Sequence, residues 1–497
     1  MPSQSPQAAF PELYESFSDG RLTNVFYRRE QLARLRQTLV ESRQTILAAI
    51  VEDAPGITPA EAFVELYMTI AAIKQHHDSL KPSAERAEEY SIANGQDAPD
   101  SRGGVGVVAI VPQSHSLLYS VIIPLSAAIA AGNCVAVVLE KTLQTLPRLL
   151  ETAIRASLDP DIFAIVPFGK IADVSGDGYI PVVQTGDSTF HDRPHALISH
   201  STALSIAVVD RTADLETAAK ALVNARMQFG GRSPYAPDVV LVNEFVKTDF
   251  VQAVVKHAIR YMAELNSGIY ADSESKAIDR KPLPAQGKQP PKGIKIVTSG
   301  SNVSILDVID RTSLAPIGKV LEPTLYIHAI RSLDDAIEVA NDLTHGNAAA
   351  AFVFGDLPMC KYLLQFVGAQ VGLANHFPRE LLVGPVAPRG KQPVNLAIRY
   401  PTDLFSVTQP RFVHKTDLSR QVDRLLDSAP AAARAQEQSI LLKDLGLEDR
   451  APVRHIEGYF ESAALVGLAT IATPVLTGVG YLAVVGVRKV LAVAWRK

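Results

Sequence analysis

Between residues 105 and 209, short apolar runs alternate with helical stretches, and few folds accommodate that alternation. Val105–Val111 is continuously apolar, bounded by glycines and Pro112. Such a run suits a parallel strand covered on both faces. Residues 117–131 read as an apolar helix ended by Gly132-Asn133, and Cys134–Leu139 is the next buried strand. Residues 145–157 return as a helix, and Ile162–Val166 and Tyr179–Val183 are further strands. Repeated strand–helix–strand units predict a doubly wound parallel sheet. The pattern continues with a strand at Leu204–Val209, a helix at Ala213–Phe229, a strand at Val239–Val242 and a helix at 247–265. Short strands follow within 303–330, then a helix at 332–343, a strand at Ala348–Phe354 and a helix at 357–367. Ahead of the sheet, Leu32, Leu35, Leu39, Ile46 and Ile50 mark one amphipathic helix over 28–50, and 59–78 reads as a second. Residues 85–104 are polar, with Asn94-Gly95 and Gly103-Gly104 as breakers.

At 497 residues the chain has room for two domains and appendages. A net charge of −4 argues against nucleic acid as a partner, which needs a basic face. The basic, proline-rich stretch 277–294 reads as an irregular surface loop. Cys134 and Cys360 are the two cysteines, too few for a disulfide framework, and both are expected to be inert core thiols in a reducing compartment. No metal site is expected. Residues 1–12 carry no basic segment followed by an apolar run and do not read as a secretory signal.

The far end is different. Ala463–Val487 is 25 residues without a charge, preceded by Glu457 and Glu461 and followed by Arg488 and Lys489. A spanning helix needs about 20 apolar residues. The run therefore predicts a tail anchor that tethers the protein to a lipid membrane with its globular body in the cytosol. A buried core helix, an in-plane helix and a re-entrant hairpin are the alternatives. Gly467, Pro474, Gly478 and Gly480 weaken a straight span.

Several segments resemble the aldehyde dehydrogenase superfamily over about residues 11–415, with the fatty-aldehyde, class 3 type nearest. They are Val105–Val111, Pro124 through Ala131-Gly132-Asn133, Thr185-Gly186, Val209-Asp210, Ala213-Asp214-Leu215, Ala236-Pro237-Asp238, and Arg331-Ser332-Leu333-Asp334-Asp335-Ala336-Ile337. They occur in family order. The resemblance implies an α/β, aldehyde dehydrogenase-like fold: a doubly wound Rossmann-type cofactor domain, an α/β catalytic domain, and here a C-terminal hydrophobic helix. The implied limits are 1–208 for the cofactor-type domain with its N-terminal helices and 209–385 for the catalytic-type domain. A C-terminal arm with oligomerisation strands spans 386–424, a linker 425–460, and the anchor helix with its basic tail 461–497.

The resemblance also implies NAD(P)-dependent oxidation of an aldehyde to a carboxylic acid, and this chain departs from the pattern at each chemical position. The family loop reads roughly G-Q-x-C-x-A-P-D, and here Pro234 stands at the nucleophilic cysteine with Ser233 beside it as a weak substitute. His115 takes the place of the oxyanion asparagine. His200 takes the place of the general-base glutamate. Val138 or Glu140 meets the ribose-binding lysine, with Lys141 one slip away, and Lys319 falls on the second ribose contact, a glutamate in the family. Thr185-Gly186 keeps the pyrophosphate turn, but Asp187 follows, the next helix is shortened, and Pro194 interrupts it. A carboxylate beside phosphates repels them.

These departures leave three readings open. In the first, a non-catalytic homologue acts by binding or scaffolding, as a homodimer or a heterodimer with a homologue. In the second, an active oxidoreductase uses NAD or NADP on a hydrophobic aldehyde with a rebuilt site. In the third, the aldehyde tunnel holds a lipid without redox chemistry.

Overall fold

The computed structural model describes residues 10–494 apart from 55, 140–143, 167–178, 187–194, 267–292, 301–302, 391–393, 397, 428–441 and 443–458. Glu140, Lys141, Asp187, Pro194 and most of the basic loop and the 425–460 linker thus lie outside the described residues. The chain divides into two units, Met1–His414 and Lys415–Lys497.

Five helices open the first unit: α1 (Pro11–Ser18), α2 (Val25–Glu41), α3 (Arg43–Asp53), α4 (Pro59–Ser79) and α5 (Pro82–Glu89). The single helix expected over 28–50 is two, because Ser42 turns its N–H back onto Thr38 and Val40. A capping box starts α4: Thr58 Oγ1 accepts from Glu61 N, and Glu61 Oε2 accepts from Thr58 N. The short helix α5 runs into the start of the polar stretch 85–104.

Strands β1 (Arg102–Gly104) and β2 (Val107–Val111) lead into α6 (Leu117–Ala130), β3 (Cys134–Val138), α7 (Thr145–Ser157), β4 (Phe163–Val166), β5 (Tyr179–Val183) and β6 (Leu197–Ile198). The sheet order is β4-β3-β2-β5-β6, and every pairing is parallel. The chain reverses direction across the sheet between β2 and β5, the switch point at which open α/β sheets leave a crevice. All positions of β2, β3 and β5 are buried, which is why they read as unbroken apolar runs. Pro124 lies inside α6 and cannot donate to Ser120 O; Gln184 Nε2 donates there instead at 2.8 Å. Asn133 ends that helix and ties the sheet, accepting from Val105 N (2.6 Å) and Gly106 N (3.0 Å) while donating to Phe405 O (2.8 Å).

The second sheet uses β7 (Ser205–Val209), β8 (Val239–Asn243), β9 (Ile294–Ser299), β10 (Ser304–Val308), β11 (Thr324–Ile330), β12 (Ala348–Phe354) and β13 (Ala369–Ala374). Its order is β13-β12-β7-β8-β11-β10-β9, and only β9 runs antiparallel to its neighbour. Helices α8 (Leu215–Met227), α9 (Lys247–Asn266), α10 (Leu333–Thr344) and α11 (Leu357–Phe366) cover it. Asp214 caps α8 through its side chain, so the helix starts two residues later than its apolar pattern suggests. β13 has no sequence signature: it is an edge strand with Gly372 inside and only alternate burial. β14 (Ser406–Thr408) pairs antiparallel with β1.

The second unit contains α12 (Asp417–Asp427) and α13 (Tyr459–Ala494). The tail is helical, but among the described residues no helix is long and apolar enough to cross a membrane. The expectation of a tail-anchored, cytosol-facing protein is therefore withdrawn. Thr470, Thr473 and Thr477 bond their hydroxyls to carbonyls four residues back, and Pro474 lies inside the helix.

Candidate functional site

The loop joining α8 to β8 carries the segment on which the resemblance turns. Three consecutive residues, Phe229, Gly230 and Gly231, hold left-handed backbone (φ 53°, 63° and 68°). Phe229 N donates to Glu61 Oε1 (3.0 Å), so the capping glutamate of α4 also anchors the loop. A Cβ on Gly231 would lie 2.5 Å from backbone atoms of Glu322 and Pro323. Only glycine combines that φ with such an approach. Gly231→Ala is accordingly expected to lower stability by about 2 kcal/mol or more. A denaturant midpoint measures it, and an unchanged midpoint would mean that the loop does not press on this strand entry.

Pro234 is buried, and its carbonyl accepts from Lys319 Nζ and from Ser205 Oγ (3.2 Å). Lys319 therefore does not reach toward a ribose. Its ammonium also pairs with Asp238 Oδ2 at 2.7 Å. Asp238 is the hub of this cluster. Oδ2 accepts from Ser205 N (2.7 Å), while Oδ1 accepts from Val320 N (3.0 Å) and faces Arg226 Nη1 at 3.4 Å. Arg226 is fully buried and also donates to Gly231 O and to Val320 O (2.7 Å). Burial pushes the Arg226 and Lys319 pKa values down, and Asp238 pulls both back up. Two buried cations thus share one carboxylate, and the cluster ties the 231–238 loop to the entry of β11.

Ser233 is fully buried; its hydroxyl faces Leu381 O at 3.4 Å and accepts from Tyr235 N at 3.3 Å. Neither partner is a base able to activate it. His115 donates from Nε2 to Leu382 O at 2.8 Å. A carbonyl can only accept, so Nε2 carries the ring proton. Burial lowers the His115 pKa to about 4, with Leu382 O opposing the shift. At neutral pH the other nitrogen is a bare acceptor and cannot hold an oxyanion. His200 is half-buried in the turn after β6, where its carbonyl accepts from Ala203 N.

Two cavities adjoin near the start of α6. A crevice of 410 Å³ opens at the carboxyl ends of β2, β3 and β5, between Val111, Pro112, Leu117, Val138, Leu139 and Pro147. Gln113, Ser114, Gln144 and Thr185 supply its polar atoms. Thr185 thus lies on the switch-point crevice, and Gly186 (φ 76°) turns the chain against Ser201. Of the described residues lining this crevice, none is charged. A dinucleotide needs partners for its ribose hydroxyls and pyrophosphate, and the described residues here do not fit one.

The second cavity, 160 Å³, is lined by His115, Arg232, Glu65 and Asp53 among others. Glu65 is 1% exposed and accepts from Tyr119 N at 3.3 Å. Burial pushes its carboxyl up to about 7, opposed by the Tyr119 and Leu118 amides. Asp53 instead accepts from Thr145 N (3.0 Å) and Leu146 N (2.6 Å) at the start of α7.

Asp238, Arg226, Glu65 and Arg232 were not singled out from sequence as site residues. A signal existed for two of them. Glu65 shares a helix face with Ala62, Leu66, Thr69 and Ile73, and Arg226 shares one with Leu222 and Val223, so each is a charge on an apolar stripe.

The architecture matches solved structures closely in extent. A substrate-bound Staphylococcus aureus AldH superimposes with a TM-score of 0.63 at 17% identity, covering 88% of this chain and 100% of that one. The chain has the aldehyde dehydrogenase fold. An indole-3-acetaldehyde dehydrogenase complexed with NAD+ matches at a TM-score of 0.59 and 16% identity, over 82% of this chain and 88% of that one. In sequence, the chain resembles mouse aldehyde dehydrogenase family 3 member A2, 23% identical over 350 residues (66% of this chain, 72% of the mouse protein). It also resembles the dog dimeric NADP-preferring aldehyde dehydrogenase, 20% identical over 374 residues (70% and 81%). No family model matches the chain.

Proposed function

We propose that this aldehyde dehydrogenase homologue is non-catalytic and acts by binding rather than by oxidation. One observation carries the reading. Pro234 and Lys319, which stand at the family's nucleophile and ribose positions, are tied to each other and to Asp238 in a buried structural cluster. Groups spent on holding a loop together are not free to attack a carbonyl or hold a ribose. The neutral His115, its proton committed to Leu382 O, supports the same reading. The dog relative is described as dimeric and NADP-preferring, and a homodimer, or a heterodimer with a homologue, is the assembly we propose here.

The test is calorimetric titration of the full-length protein with NAD and NADP, together with an assay of aldehyde oxidation. Neither cofactor is expected to bind at millimolar concentration. Pro234→Cys is expected to leave turnover at background, because a thiol placed there meets neither an oxyanion donor nor a cofactor. Aldehyde-dependent reduction of NAD or NADP by the wild-type protein would sink the reading. It would favour an oxidoreductase with a rebuilt site around Glu65, whose near-neutral carboxyl is the one observation on that side.

A further inference from the structure

The crevice and the smaller cavity share Ser114, Leu117 and Gln144 in their linings, so they adjoin. Their chemistry differs. At 410 Å³ the crevice is within the range of small-molecule sites and is walled mostly by aliphatic side chains. The smaller part contains four ionisable groups, and three are already spent or neutral. Asp53 is held by two amides of α7, Glu65 by the amides that open α6, and His115 by Leu382 O. Arg232 is the exception. Arg232 lines the cavity, and its guanidinium has no hydrogen-bond or ion-pair partner among the described residues.

An aliphatic slot that ends at an unspent guanidinium fits an amphiphile with an anionic head. A planar guanidinium matches a carboxylate in bidentate geometry. We propose that the recess binds an aliphatic carboxylic acid, with its hydrocarbon chain in the switch-point crevice and its carboxylate on Arg232. This rests on the reading above in one respect, that no dinucleotide holds the crevice against the acid. The arrangement also sets a pH signature. Below about pH 7, Glu65 holds a proton and donates to the ligand's carboxylate; above it, the ionised Glu65 repels that carboxylate. His115, whose pKa burial lowers to about 4, stays neutral across this window and does not produce the change.

The experiment titrates the full-length protein with decanoate and with decanol at pH 6 and pH 8. Decanoate is expected to bind at least about tenfold more tightly than decanol at pH 6 and to weaken at pH 8. Arg232→Met should remove the preference for acid over alcohol while leaving the melting temperature unchanged. Leu117→Trp, which fills the shared wall, should weaken both ligands, and Glu65→Gln should flatten the pH dependence. Equal affinity for acid and alcohol, or full decanoate affinity in Arg232→Met, would overturn the assignment, as would no binding of either ligand. A parallel NAD titration separates the two proposals. NAD binding displaced by decanoate refutes the non-catalytic reading and leaves the carboxylate site standing. Absence of both NAD and decanoate binding does the reverse.

Discussion

Replacing Asp238 by alanine is expected to cost about 3–5 kcal/mol of folding stability, the range for stripping one partner from a buried ion pair. The carboxylate is fully buried between Arg226 and Lys319, and it also receives the amides of Ser205 and Val320. Alanine leaves two cations without a counterion and two backbone donors without an acceptor. Arg226 keeps its charge, and Lys319, whose pKa burial already lowers, escapes only by giving up its proton; an unpaired buried charge is far costlier than a missing contact. Lys319→Met is the informative companion. It removes one cation of an already over-positive cluster, so its cost is expected to be smaller than that of Asp238→Ala. In the double variant the losses should be less than additive, because Lys319 no longer lacks a partner. Urea denaturation of the three variants reads this cycle. A loss under about 1 kcal/mol for Asp238→Ala would mean that water reaches the cluster.

The second large effect is pH-dependent and belongs to Glu65. Its folded pKa is raised from 4.5 to about 7 by burial. A group with a raised folded pKa contributes stability that is fully present below its unfolded pKa and is lost as pH rises through the folded value. Glu65 should therefore weaken the fold progressively between about pH 4.5 and 7, by on the order of 3 kcal/mol in all. Two histidines act in the opposite direction. Burial lowers His76 and His115 from 6.5 to about 4, so their contribution is present above the unfolded pKa and lost as pH falls through the folded one. Whole-protein stability mixes these terms, and Glu65→Gln isolates one. The amide keeps an acceptor for Tyr119 N but cannot ionise. The variant is expected to gain on the wild type steadily from pH 4.5 to 7 and to hold that gain above. A stability difference flat with pH would show that Glu65 is solvated.

Periodicity made the sheets legible because burial on both faces leaves a local trace. β5, α7 and β12 fall where their apolar runs begin and end, since Tyr179–Val183 and Ala348–Phe354 are buried throughout. β13 left no such trace, being half-exposed at a sheet edge. The tail's long uncharged run is visible in sequence and is helical, but among the described residues no helix is long and apolar enough to cross a membrane.

The order of landmarks, from Val105 to Ala336-Ile337, was enough for the sequence alone to determine the fold, and the same resemblance led to the proposal that the family's chemical positions carry other residues. What those residues do was decided only in three dimensions. Lys319 and Asp238 are 81 positions apart, and His115 and Leu382 are 267 apart. Whether a lysine greets a ligand or locks a loop depends on which carboxylate the packing brings within 3 Å of it. Whether a histidine can donate depends on which of its nitrogens is already committed. Spacing along the chain carries neither fact, because both arise from contacts that exist only once the sheets have closed.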